Sequence, residues 1–393
     1  MKYYITTAIA SALVTTSSAL VIPSDGSDGA LNPPADVEID LSQAVTGVWS
    51  DDNTANIGKG VYDPDRWVVV FKYSSVNIPE GVTVTFKNHP SNAPVMWLVQ
   101  NDATIAGTVS LNGSPGLTGI DALSPPEAGP GGFRGGSAGP DGAGAGLGPG
   151  GGATPARAGL HRSTYGNPQI IPTIGGSGGS GESGDSGGGG GGSIFLGVTG
   201  TLTLDGTIQC NGGSRPATFG SDPGQGSGGS VRVVADTVLG SGSLEARDGL
   251  GNSSSGSAGR IRLEAVTAST TLKSFPETVA VPPASPPLIF PPANAPTVRI
   301  VSIDGIPAPA DPRAPLNANA DLAIQNNEPV VITVETTNFP IEGVVQLRVA
   351  QKFGNAVWLD CEFVSGTINQ ATWNVTRALT DGFSTLQARA TAP

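Results

Sequence analysis

SIFLGVTGTLTLDGTIQCNGG (193–213) repeats, without gaps, the pattern of PVMWLVQNDATIAGTVSLNGS (94–114). Both stretches contain a short strand with alternating apolar residues, a corner glycine and a closing Asn-Gly. The aligned pairs include Ile194 with Val95, Leu196 with Trp97, Leu204 with Ile105, Gly206 with Gly107, Thr207 with Thr108 and Ile208 with Val109. A repeat of this size cannot bury its apolar face alone, so the copies must stack on one another.

Two further copies, SVRVVADTVLGSGSLEARDG (230–249) and RIRLEAVTASTTLKSF (260–275), extend the repeat. Short strands with corner glycines and no helical period are typical of a parallel β-helix. An antiparallel β-sandwich is the alternative, but it would not need the same corner glycine in each copy. The β-helix predicts an interior ladder of Ile194, Leu196, Val231, Val233, Ile261 and Leu263.

The chain divides into five regions, and its predicted fold class is all-β. Lys2, an apolar run and small residues before Ala19 indicate a secretory signal peptide, cleaved after Ala19. The regions are the signal peptide (1–19), a polar N-terminal segment (20–60), the parallel β-helix (61–275), a Pro-rich linker (276–296) and an immunoglobulin-like β-sandwich (297–393). Export of the chain to the cell surface or the medium follows from the first region.

A glycine-rich insert at 112–192 separates the first two repeats and holds 30 of the 58 glycines. The insert also contains large apolar and aromatic residues, which an ordinary Gly/Ser linker lacks; they include Phe133, Tyr165 and Ile174. The insert is therefore expected as a long lateral loop, partly ordered against the β-helix. Its glycine runs could also pack as arrays of polyproline-II-like helices, because backbones without Cβ atoms can approach closely.

The C-terminal region shows six strand patterns spaced by turn signals, which indicates the sandwich. The proline-rich stretch before it reads as a semi-rigid extended spacer. Cys210 and Cys361 each fall in phase with apolar strand residues of a different domain. Both are therefore expected to be core residues rather than disulfide partners.

Several stretches carry a family resemblance: VYDPDRWVVVFKYSSVNIPEGVTVTFKNHPSNAPVMWLV, GPGGFRGG, YGNPQIIPTIGGSGGSG and GGGGGGSIFL. They resemble glycine-rich, signal-peptide-bearing proteins of environmental bacteria. The resemblance covers about residues 60 to 270 and implies a right-handed parallel β-helix. It implies no particular activity, and the C-terminal region lies outside it.

The candidate catalytic motif is the pentapeptide Gly184-Asp185-Ser186-Gly187-Gly188, which resembles the nucleophile motif of trypsin-like proteases. A nucleophilic serine needs a base and a group that orients this base. The chain has only two histidines, His89 and His161, and Ser186 lies in a run where such patterns arise easily. The sequence therefore predicts no catalytic residue, no cofactor and no metal site.

The net charge of −12 and the six lysines argue against nucleic acid as a partner. The favoured function is a secreted or cell-surface structural protein that could self-assemble, for instance into filaments. The alternatives are a carbohydrate-binding adhesin and, less favoured, a polysaccharide lyase or hydrolase. Self-association or a surface polysaccharide are the expected interactions, with no transmembrane segment after signal removal. The candidate contact residues are Arg232, Arg260, Arg262, Trp67 and Trp373.

Overall fold

The chain is all-β in the computed structural model, with 41% of its residues in strands and 3% in helical turns. The described residues are 20–139, 143–152, 165–216, 222–250, 256–314, 320–325, 328–354, 356–379 and 381–393. The predicted signal peptide and His161 lie outside these ranges. The all-β prediction is confirmed.

Short strands dominate the first three quarters of the described chain. They are β1 Ala30–Leu31, β2 Val37–Asp40, β3 Val45–Thr46, β4 Val61–Asp63, β5 Val68–Tyr73, β6 Ser75–Ile78, β7 Thr83–Lys87, β8 Val95–Val99, β9 Ala103–Ile105, β10 Thr108–Ser110, β11 Ser193–Leu204, β12 Thr207–Gln209, β13 Ser230–Gly240, β14 Ser243–Glu245, β15 Arg260–Thr270, β16 Lys273–Phe275 and β17 Ala280–Val281. Short 3-10 helices lie at Leu41–Gln43, Thr54–Asn56 and Gly119–Leu123.

These strands form two sheets. Sheet A contains β1, β3 to β6, β8, β9, β11, β13, β15 and β17, and sheet B has the order β16-β14-β12-β10-β7-β2. Among the described strands of both sheets, every pairing is parallel except that of β4 with β5. Each successive repeat therefore adds one layer to both sheets.

The internal repeat sets the register of this stacking. The paired residues are Ile194 with Val95, Leu196 with Trp97, Leu204 with Ile105 and Ile208 with Val109. These pairs are the ones that the sequence alignment predicts, so the predicted register is confirmed. Parallel neighbours in this register place like residues above one another, which lets each strand bury the apolar face of the last.

The six residues of the predicted interior ladder form two adjacent columns. The columns are Ile194–Val231–Ile261 and Leu196–Val233–Leu263. They belong to core cluster 1, the apolar core between sheets A and B, in which Trp97 is fully buried. All six ladder residues are buried except Ile261, which is partly buried near the end of the stack.

The corner glycines also stack in a column. A Cβ on Gly206 would lie far inside the 3.0 Å limit of real Cβ contacts from the carbonyl oxygen of Gly107, and one on Gly242 would meet Gly206 in the same way. Each layer therefore turns from sheet A to sheet B with its backbone directly against the previous layer. This explains why the repeats keep a glycine at this position.

The outer face of sheet A is covered as well. Core cluster 3 lies there, and it joins sheet residues such as Phe195 and Val234 to Leu20 and Ile22 from the N-terminal segment. Ile289 and Phe290 of the Pro-rich segment pack against the same cluster. The prediction of a spacer at 276–296 is therefore wrong, since this segment folds back onto the sheet and contributes β17.

Lys72 fixes the N-terminal segment against this outer face. Its ammonium group lies 2.7 Å from Asp25 Oδ2 and donates to Ser50 O at 3.3 Å, while the side chain is 2% exposed. Asp28 accepts a 2.7 Å hydrogen bond from the backbone N–H of Lys72. Burial raises the pKa of Asp28, even though several N–H donors stabilise its carboxylate.

The C-terminal region forms two antiparallel sheets. Its strands are β18 Thr297–Ile303, β19 Ile306–Pro307, β20 Val330–Thr337, β21 Val344–Gln351, β22 Trp358–Asp360, β23 Glu362–Thr367, β24 Gln370–Arg377 and β25 Ser384–Thr391. Sheet C has the order β19-β18-β20-β24-β23, and sheet D has the order β22-β21-β25. Both sheets contribute to core cluster 2, which includes Val334, Leu347 and Trp373.

Both cysteines occupy the predicted core positions. Cys210 is fully buried in core cluster 1, and Cys361 is 8% exposed in core cluster 2. Burial raises the pKa of both thiols, that of Cys361 to about 11. Each cysteine therefore serves the packing of its own region.

Candidate functional site

Glycine-rich segments from the repeats and from the insert pack against one another in a bundle that we call the glycine array. Its segments are 111–116, 126–136, 144–152, 172–181, 186–192, 209–214, 222–229, 246–249 and 256–259. Gly129 N–H donates to Gly190 O at 3.0 Å, and Gly213 N–H donates to Gly189 O at 2.7 Å. The insert thus differs from the predicted lateral loop, because its described glycines are mostly buried among segments of the repeats.

Within the array, hydrogen bonds between the same two segments recur every three residues. Gly176 and Gly179 donate to Gly191 and Gly188 at 2.8 and 2.9 Å, and Gly188 and Gly191 donate to Gly224 and Ser227 at 2.9 Å each. Three residues is the period of a polyproline II helix, which has no internal hydrogen bonds and leaves its N–H groups free to pair. This spacing supports the polyproline-II-like packing that the sequence suggested.

Close backbone approach makes glycine necessary at many array positions. A Cβ on Gly190 would overlap Gly176 O, one on Gly226 would overlap Gly189 O, and one on Gly178 would overlap Arg134 O. In all three cases the obstacle is backbone, which cannot rotate away as a flexible side chain can. The glycine content is therefore a packing requirement rather than a sign of flexibility.

Ser186 lies within the array and is fully buried. Its Oγ accepts a 2.7 Å hydrogen bond from the backbone N–H of Leu117. His89, the described histidine, packs elsewhere: its Nδ1 lies 2.8 Å from Ser91 Oγ, and its ring stacks on Tyr62. In the described part of the chain, the serine of the protease-like pentapeptide thus contributes its hydroxyl to backbone packing.

Tyr165 anchors one margin of the array. Its hydroxyl donates to Gly175 O at 2.7 Å, and burial raises its pKa to about 12. Arg260, one of the predicted contact residues, donates from Nη2 to Tyr165 O at 2.8 Å and is half-buried. Arg260 therefore joins the last described repeat to the array.

Arg232 and Arg262 share a carboxylate on the outer face of sheet A. Glu264 Oε1 lies 2.9 Å from Arg232 Nη2 and 2.7 Å from Arg262 Nε. Arg232 also donates to Leu288 O at 2.7 Å and is 2% exposed. Arg232, a predicted contact residue, is therefore not at the surface, because the Pro-rich segment covers it. Arg262 is half-buried.

The two predicted tryptophans are not exposed aromatic platforms. Trp373 is 4% exposed and donates from Nε1 to Thr336 Oγ1 at 3.0 Å, so this candidate contact residue lies in the core and not at the surface. It belongs to core cluster 2 because its strand alternates in phase with the core. Trp67 is half-buried, and its indole N–H donates to Ser91 O at 3.0 Å.

Sheet D contacts the array through residues that the sequence analysis did not identify as candidates. Arg348 is 1% exposed and donates from Nη1 to Gly146 O at 2.9 Å. Desolvation, with the nearby charge of Arg389, lowers its pKa to about 10. Ser137 Oγ donates to Lys352 O at 2.7 Å, and Gly354 N–H donates to Ala143 O at 3.1 Å. Strand alternation gives no signal for such a buried arginine, because its partner lies about 200 residues away.

A second feature of the C-terminal region is an open cleft of about 700 Å³ between sheets C and D. Its lining is mainly apolar and includes Ile300, Ile303, Leu322 and Phe383. Arg299, Asp321 and Asp381 add charged groups to this lining.

Comparison of the chain with protein-family models, with curated proteins and with solved structures gave no match. Among the described residues, the structure contains no helix with the length and hydrophobicity needed to cross a membrane. The fold and the glycine array are therefore the features from which a function can be argued.

Proposed function

We propose that this chain is a secreted or cell-surface structural protein. In this proposal, residues 61–275 form a parallel β-helix, the glycine array stiffens one side of it, and residues 297–393 form an immunoglobulin-like β-sandwich attached to the array. The observation that carries the proposal is the array. A large share of the chain forms closely packed backbone, which is rigid and has few side chains that could take part in chemistry.

The hydrogen bonding of the array supports a mechanical role. Its N–H groups donate to neighbouring segments rather than to water, as at Gly176, Gly188 and Gly226. Glycine loses more conformational entropy on ordering than any other residue. Ordering so many glycines therefore costs free energy, and a flexible segment would not have to meet this cost. Dense cross-links between segments resist bending and give proteases few accessible peptide bonds.

Polysaccharide binding, the alternative suggested by the sequence, has weaker support. It relied on exposed tryptophans, and Trp373 is buried while the indole N–H of Trp67 is already hydrogen-bonded. A β-helical scaffold that is stiffened by the array accounts better for the arrangement.

The experiment is to express the full chain with residues 1–19 and to label intact cells with a membrane-impermeant amine reagent. We expect labelling at the exposed Lys59 and Lys87, and a mature N-terminus at Leu20. A matched chain without residues 2–19 should stay unlabelled until the cells are lysed. If the full chain also requires lysis for labelling, the proposed surface or extracellular role is wrong.

A further inference from the structure

Strand β25 differs from the other edge strands of the C-terminal region. β19 and β22 have two and three residues, and β18 and β23 each contain a register irregularity. β25 pairs with β21 through eight consecutive residues without a shift, and its other edge pairs with no strand of the described chain. Proteins commonly shorten or bulge their edge strands, because a regular edge is a template for another strand. β25 is therefore the edge that is suited to accept one.

The open cleft between sheets C and D lies beside this edge. Its walls include Leu386 and Ala388 of β25 and Val298 and Ile300 of β18. All four side chains are partly buried and pack against core cluster 2. The apolar core between the two sheets is therefore open on this side, and apolar side chains of an added strand would be removed from water there.

The strand order points to the same edge. An immunoglobulin-like sandwich has strands A, B, E and D in one sheet and C, F and G in the other. In the proposed sandwich, β18, β20, β24 and β23 take the places of A, B, E and D, while β21 and β25 take those of C and F. The place of G is beside β25, where the described chain has no strand. A further strand at this edge would complete the sheet.

The charges around the cleft indicate which kind of strand fits. Arg299 lies opposite Glu335 on the neighbouring strand, and Asp321 accepts hydrogen bonds from two backbone N–H groups of its own loop. Asp381, just before β25, is exposed and has no ion pair among the described residues. A basic side chain on the added strand would compensate this carboxylate. A second copy of the chain, with its net charge of −12, is a poorer partner because like charges repel.

We propose that β25 binds an extended segment of a basic partner protein, which pairs antiparallel with it and places alternate apolar side chains in the cleft. The inference rests on the proposed sandwich and adds a partner to the proposed structural role. Backbone groups of the free edge supply the hydrogen bonds, and the cleft selects apolar side chains at every second position. In an antiparallel pair, the C-terminal end of the segment lies near Asp381.

The experiment measures binding of a fluorescent peptide to the purified full chain by anisotropy. The probe has about eight residues, the length of β25, with alternating valine and threonine followed by an amidated lysine. We expect saturable binding and slower hydrogen exchange of the β25 amides. The same peptide with proline at its central valine should not bind, because proline removes a backbone donor.

Asp381→Lys should raise the dissociation constant of the probe at least about threefold, and a probe that ends in glutamate should bind this variant better than the wild type. Glu362→Lys, an equal charge change on exposed β23 at the opposite edge of sheet C, is the matched control and should leave binding unchanged. Melting curves of both variants test whether the fold is intact.

Three results would each overturn the strand-addition proposal. They are no binding by the wild-type chain, equal binding of the proline peptide, and binding that Asp381→Lys leaves unchanged. None of them bears on the surface labelling of cells, so failure of this inference remains distinguishable from failure of the structural role.

Discussion

Arg232 and its neighbour Val231 show that β13 is buried on both faces. Val231 points into core cluster 1, while Arg232 points to the opposite face and is held by Glu264 and Leu288 O. The guanidinium also lies 5.1 Å from the centre of the Phe195 ring. Removing one partner of such a buried pair leaves an uncompensated charge, which is strongly destabilising.

We therefore expect Val231→Asp to lower the free energy of unfolding by several kcal/mol, because the new carboxylate has no partner. Arg232→Asp should cost about 3–5 kcal/mol, because it places a second carboxylate beside Glu264. The control is Thr104→Asp on an exposed strand position, with an effect within about 0.5 kcal/mol. Denaturant unfolding measures all three, and equal tolerance of Arg232→Asp and Thr104→Asp would contradict the covered outer face.

The buried cysteines give a second prediction at this scale. A polar alkylating reagent should modify neither Cys210 nor Cys361 in the folded chain, since burial raises the pKa of both thiols and blocks access. Both should react after denaturation, without any reductant. Mass spectrometry decides the point: labelling in the folded state, or a pair that reacts only after reduction, would be inconsistent with two separate core thiols.

The glycine array depends on close backbone packing between its segments. Gly190→Ala should lower the free energy of unfolding by about 1–3 kcal/mol or more, because its Cβ would overlap Gly176 O. Gly47→Ala is a matched control: its Cβ would meet its nearest neighbours at 3.7 Å, and its φ is not in the left-handed region. Thermal melts compare the two, and equal melting temperatures would show that the array is not tightly packed.

Strand β2 carries a pH-dependent contribution. Hydrogen bonds from Ser42 and Lys87 lower the pKa of Asp40 to about 2. The folded pKa lies below the ordinary value of 3.8, so the stabilisation is present above pH 4 and is lost as the pH falls towards 2. We expect Asp40→Asn to reduce the melting temperature at pH 6 but to match the wild type near pH 2. A difference that persists unchanged at pH 2 would argue against this contribution.

The sequence could predict those elements whose causes are local or repeated. The alignment of 94–114 with 193–213 defined the stacking register, because each layer packs on a copy of itself. The position of the Pro-rich segment over Arg232 had no such signal, since it depends on packing between residues 56 positions apart. The same holds for Arg348, whose burial follows from the docking of sheet D on Gly146.

At the scale of the whole molecule, the array joins the parts of the chain. It shares hydrogen bonds with the ends of the stacked strands, such as Gly229 N–H to Cys210 O at 2.7 Å. Sheet D contacts it through Arg348 and Lys352. Outside the array, the hydroxyl of Tyr62 in β4 donates to Asp311 Oδ1 of the C-terminal region at 2.6 Å. The proposed β-helix and the C-terminal region therefore meet through the array and through the hydrogen bond between Tyr62 and Asp311.

Amide hydrogen exchange on the full chain tests the rigid scaffold most directly. The amides of Gly176, Gly190 and Gly226 donate within the array, and that of Val233 belongs to the central strand β13. If the array is a structural part of the core, the three glycine amides exchange as slowly as the amide of Val233. Exchange of these glycines at the rate of an unstructured peptide, with Val233 still protected, would contradict the account.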